Sequence, residues 1–108
     1  MDEQKLLELY NDTLEKCGVY LLSEDDEVIA YNIYEEFDIG VHSFLYMDNL
    51  KKLYDQGLIS LDKLNDSHML RDLVIQLQNS GEWGIENFRT SKKWRKIMEL
   101  SDRLRLMK

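Results

Sequence analysis

Two histidines, His42 and His68, stand far apart in this chain, and the single cysteine, Cys17, is distant from both. Zinc and transition-metal sites draw on His and Cys ligands at short, regular spacings. No such spacing is present, so no metal and no cofactor is expected. The run Glu24-Asp25-Asp26-Glu27 invites calcium. An EF-hand loop, however, needs alternating acids, a mid-loop glycine and a closing glutamate, and those are missing. Neighbouring acids also invite general acid–base catalysis, yet four acids at a helix start read more simply as a solvated cap. Neither a nucleophile elbow nor a phosphate-cradling glycine loop occurs; Gly81-Glu82-Trp83-Gly84 is too sparse for one. The expectation is a chain that is not an enzyme and has no catalytic residues.

What remains is charge. From Lys16 to Lys51 the chain has no internal lysine or arginine, while Glu24, Asp25, Asp26, Glu27, Glu35, Glu36, Asp38 and Asp48 fall inside that interval. Tyr20, Tyr31, Tyr34, Phe37, Phe44 and Tyr46 are threaded among them. Tyrosine is a frequent interface anchor, being large and rigid with one polar tip. A negative field speeds encounter with a basic partner. Glu24, Asp25, Asp26, Glu27, Tyr31, Tyr34, Glu35, Glu36 and Asp38 are therefore the candidate partner-binding residues. A simpler reading stands beside this one: acids that confer solubility, and tyrosines that are half-buried core.

The C-terminal end has the opposite sign. Six basic and nineteen acidic residues precede Arg89; from Arg89 onward there are eight basic and two acidic, giving the net charge of −7. Arg89, Lys92, Lys93, Arg95, Lys96, Arg103, Arg105 and Lys108 could track a phosphate backbone, with Trp94 stacking on a base. The acidic remainder repels nucleic acid, and Trp94 shares an apolar stripe with Ile97 and Met98. Internal complementarity, with the basic helix lying near the acidic stretch, is the simplest account.

Chain length bounds the architecture to one domain, residues 1–108. Proline is absent and glycine scarce at five, which disfavours a turn-rich β fold. No apolar run is long enough to span a membrane. The lone cysteine and the absence of a signal-peptide pattern at Met1–Lys5 suit the cytoplasm.

These candidates have to be carried by helices. The expected fold is all-α, a compact bundle of four to six helices. Residues 2–16 carry an apolar stripe at Leu6, Leu7, Leu9, Tyr10 and Leu14. Residues 19–38 admit two readings. One is a helix capped by Ser23, with Ile29, Ile33 and Phe37 on one face. The other is a short β-hairpin within 19–34, pairing Val19–Leu22 with Val28–Tyr34. The helix is preferred, because no Gly or Asn eases the intervening turn. Asp38-Ile39-Gly40 reads as a break, followed by a helix over 44–56 capped by Ser43 and stopped by Gly57. A long stripe begins at Ser60 and runs to Asn79, with a kink or break admitted near Asp66. Residues 82–89 are too apolar for a free linker. Thr90 or Ser91 caps a last helix to about Leu106. The expected core centres on Leu6, Tyr10, Ile33, Phe37, Leu50, Leu53, Leu70, Leu73, Leu77, Trp83, Trp94 and Ile97.

Acids interleaved with Tyr31 and Tyr34 over Ser23–Asp38, in a small helical chain, resemble the acidic immunity proteins with which bacteria neutralise toxins. Gly81-Glu82-Trp83-Gly84-Ile85 is similar to a turn in some of those proteins. The basic C-terminal helix departs from their evenly acidic pattern. The resemblance implies tight binding of a toxin domain, blocking its active site or a nearby exosite. Three other readings remain open: a nucleic-acid-associated regulator using Arg89–Lys108, a phage-encoded inhibitor of a host enzyme, and a subunit completed by a homodimer.

Overall fold

The apolar stripes become helices in the computed structural model, which describes residues 2–107. Helix α1 (Glu3–Glu15) starts at Asp2, whose side chain accepts the Lys5 N–H at 2.7 Å. This satisfies one of the orphan donors of the first turn. A short 3₁₀ turn, Val19–Ser23, follows. Helical backbone then runs without interruption through α2 (Asp26–Ala30), a π-helical segment (Tyr31–Phe37) and α3 (Asp38–Ser43). Next come α4 (Met47–Asp55), the long α5 (Leu61–Gln78), the single-turn α6 (Ile85–Phe88) and α7 (Lys92–Leu106). No strand occurs among the described residues. Nor is any helix there long and apolar enough to cross a membrane.

The fold is all-helical as expected, and the hairpin alternative for 19–34 is overturned. Asp25 caps the helix, accepting the Val28 N–H at 3.0 Å. The expected cap, Ser23, instead donates to the carbonyl of Tyr20. The expected break at Asp38–Gly40 is absent too, for a reason legible in the spacing. Ile29, Ile33, Phe37, Val41 and Leu45 are all fully buried. A strict four-residue spacing overruns a 3.6-residue turn by about 40° at each step, so a plain α-helix would swing these side chains off the core. The wider π turn takes up that excess and keeps the row facing inward. Gly40 sustains the path by allowing α3 to lie against α1. A Cβ there would meet the side chain of Thr13 at 2.2 Å.

Because α3 runs through Ser43, α4 starts at Met47 rather than 44, with no side-chain cap. It ends as the glycine predicts. Gly57 takes φ +73°, and Leu58 returns its N–H to Leu53 O at 2.9 Å in a Schellman closure. The break admitted near Asp66 does not occur; α5 is continuous from its Ser60 cap. Ser91 caps α7, accepting the Lys93 and Trp94 N–H groups.

The α5–α7 pair forms the most extensive interface, and α1 crosses α7. Ten of the twelve expected core residues are buried; Leu73 and Trp83 are only partly so. Each fully buried large apolar side chain contributes ~1.5–3 kcal/mol. Cys17, Leu21, Val41, Ile59 and Phe88 join the same cluster. Polar groups inside it are paired across helices. Tyr10 Oη and Ser67 Oγ lie 2.5 Å apart, and Ser101 Oγ donates to Leu14 O at 3.0 Å. Residues 82–89 pack as expected. Trp83 stacks on Trp94 at 4.7 Å, and Trp94 Nε1 donates to Glu82 O.

Candidate protein-binding face

The start of the acidic helix is pinned by one cation. Arg89, just after α6, donates to Leu22 O at 2.8 Å, to Glu24 O at 2.7 Å and to Asp26 Oδ1 at 3.0 Å. Those bonds hold Glu24–Glu27 in place around the helix N-terminus, where the macrodipole favours negative charge. All four acids are exposed.

Arg89 is also where the expected internal complementarity ends. The cations of α7 find partners elsewhere: Lys93 with Glu82, Arg95 with Glu99, Arg103 with Asp66 and Arg105 with Asp102. Lys108 lies outside the described residues. Among the described residues, Glu24, Asp25, Glu27, Glu35, Glu36 and Asp48 enter no ion pair. The basic helix therefore does not lie over the acidic stretch, and α7 docks chiefly against α5 and α1.

The nine candidate residues separate into two kinds. Glu24, Asp25, Asp26, Glu27, Tyr31 and Glu35 are exposed, and Glu36 is half-exposed. Tyr31, with 54% of its surface free, is one full π turn before Glu36. Hydrogen bonding to Glu36, reinforced by that carboxylate's charge, raises the Tyr31 phenol pKa. Tyr34 and Asp38 point elsewhere. Tyr34 is half-buried, and its hydroxyl donates to Trp83 O at 2.7 Å with the ring edge-on to Trp83 and Trp94. Burial pushes its pKa up as well. Asp38 accepts from Gln78 Nε2 at 2.6 Å and lies 3.4 Å from His42 Nε2, tying α3 to α5. Both act as internal struts behind the face.

Other residues complete the face from α1 and the end of α3. Leu9, Asp12, Thr13 and Lys16 stand opposite Glu35, Glu36, Ile39, Gly40 and Phe44 across a cleft of about 300 Å³. Leu9, Ile39 and Phe44 supply its apolar lining, and Ile39 is 62% exposed. Ile39 lies inside the Asp38–Gly40 stretch, whose glycine suggests a break rather than a helical face. The four-residue spacing of the buried row carried the signal, since it places residue 39 outward.

The remaining chemistry-bearing groups stay dispersed. His42 pairs with Asp38, and His68 lies 3.6 Å from Asp72, each on its own helix. Cys17 is fully buried, and desolvation pushes its thiol pKa well up. Among the described residues, no three His, Cys, Asp or Glu side chains converge as metal ligands. What the face can do is attract cations and offer one aromatic donor beside an apolar cleft. The chain matches no family model, no curated protein and no solved structure.

Proposed function

We propose that this chain is a protein-binding module of the immunity type, which captures and neutralises a basic toxin domain through the face built by α2, the π segment and α1, without chemistry of its own. One observation carries the reading: among the described residues, the acids between Lys16 and Lys51 enter no intramolecular ion pair, apart from Asp26 with Arg89 and Asp38 with His42. Unneutralised charge beside an exposed tyrosine speeds association with a cationic surface and supplies an anchor once contact is made. Tyr31 is that anchor, its hydroxyl a donor beside Glu36. Binding would occur in the cytoplasm, where a toxin must be met before it acts.

The burial of Trp94 weighs against the nucleic-acid reading, because a fully buried indole cannot stack on a base. The test is co-expression with the product of the gene next to this chain's own. Restored growth and a co-purifying complex support the proposal. Unrelieved toxicity with no complex, or a harmless neighbour that does not bind, sinks it.

A further inference from the structure

The cleft between α1 and the π–α3 helix combines features that the acidic face alone does not. Its lining includes three hydrocarbon side chains: Leu9 and Phe44, which are half-buried, and Ile39, which is largely exposed. Its rim carries Asp12 from one helix and Glu35 and Glu36 from the other, none of them in an ion pair among the described residues. Lys16 stands on the same rim as its one cation. At its base the two helices meet closely, because Gly40 has no Cβ to clash with the Thr13 side chain. Thr13 is itself locked by its hydroxyl donating to Leu9 O at 2.9 Å.

We propose that this cleft seats an arginine-bearing, amphipathic segment of the protein partner, with an arginine stem along Ile39 and Phe44 and its guanidinium among Asp12, Glu35 and Glu36. The inference rests on the protein-binding reading above and names the part of the face that would confer specificity. A long cationic side chain is apolar along its stem and charged at its tip, matching a partly hydrocarbon lining beside an acidic rim. Arginine fits better than lysine, because its planar fork engages carboxylates bidentately and is more weakly hydrated. A volume of about 300 Å³ accommodates a side chain rather than a whole helix. A purely electrostatic encounter would use the acids without the apolar lining; here Ile39 is presented to solvent in the middle of them.

The test is amide NMR on the intact chain, titrated with three synthetic peptides of equal length: arginine–leucine, all-arginine and glutamate–leucine. The expected result is that the arginine–leucine peptide shifts Asp12, Glu36, Ile39 and Gly40 and binds more tightly than the all-arginine peptide. Ile39→Glu should weaken that binding about tenfold or more while leaving the circular dichroism spectrum unchanged. Shifts confined to Glu24–Glu27, with the cleft unmoved, would overturn the cleft and leave the acidic face standing. No shift anywhere between Lys16 and Lys51 with either basic peptide would overturn both. Equal occupancy of the cleft by the glutamate–leucine peptide would overturn the charge assignment.

Discussion

Replacing Gly40 with alanine should destabilise the protein, although it sits in a helix where alanine is the better residue. In an open helix the change would gain ~1 kcal/mol, from reduced backbone entropy in the unfolded chain. Here the new methyl would lie 2.2 Å from Thr13 Oγ1, 2.6 Å from its Cγ2 and 2.8 Å from its Cβ. Thr13 cannot swing aside cheaply, since it is buried and its hydroxyl is bonded to Leu9 O. Overpacking of this kind costs ~1–3 kcal/mol, and with three atoms inside contact distance the upper part of that range applies. The net expectation is a loss of about 1–2 kcal/mol, lowering Tm by roughly 5–15 °C for a chain of this length. Thr13→Ala would relieve only part of the clash, because its Cβ stays at 2.8 Å; Thr13→Gly removes all of it. A double-mutant cycle by chemical denaturation should therefore show a favourable coupling between Gly40→Ala and Thr13→Gly, larger than that with Thr13→Ala. If Gly40→Ala alone raises the denaturation midpoint, the α1–α3 contact is looser than described.

The two α5 leucines should separate in the same assay. Leu77→Ala, at a fully buried site, should cost ~2–5 kcal/mol, whereas Leu73→Ala should cost clearly less because its side chain is partly exposed. Stability should also fall in alkali. Burial outweighs the Ser67 hydrogen bond and pushes the Tyr10 phenol pKa up to about 12. A folded-state value above the unfolded one means this contribution is intact below about pH 10 and lost as pH rises through about 12, amounting to ~3 kcal/mol. Denaturation midpoints across that window should drop for the native chain, with a shallower drop in Tyr10→Phe. Reversing Glu35 and Glu36 to lysine should leave the unfolding free energy within ~0.5 kcal/mol, because neither carboxylate enters an ion pair among the described residues.

The helices were readable wherever a local signal agreed with the packing. Asp2, Ser60 and Ser91 cap helices that begin at or close to the expected residues, and Gly57 closes α4 as its position predicts. Misreadings cluster between Ser23 and Met47. There the buried row repeats every four residues, a spacing that overruns an ordinary α-helical turn and that a strand face would also satisfy. A glycine that normally signals a stop was instead required by the close approach of another helix. That contact is non-local, and nothing in the sequence near Gly40 announces Thr13. The acids were legible as exposed charge, but their division into face and strut was not. Tyr34 and Asp38 differ from Tyr31 and Glu35 chiefly in which side of the continuous π–α3 helix they occupy. Asp12 and Leu9 entered the cleft from α1, a helix whose own pattern reads only as core and solvent.

The acidic face is the surface proposed to meet a partner. The most direct measurement is the association and dissociation kinetics of this chain with the product of the neighbouring gene, over a range of salt concentrations. Two variants of intact fold would be compared, the double charge reversal at Glu35 and Glu36, and Tyr31→Ala. The charge reversal should slow association about tenfold or more at low salt and flatten its salt dependence. Tyr31→Ala should mainly speed dissociation, by a factor matching ~2 kcal/mol for a central anchor. Unchanged rates for both variants, with binding lost instead on reversing the exposed Lys92 and Lys96 of α7, would contradict the account and move the interface to the opposite charge.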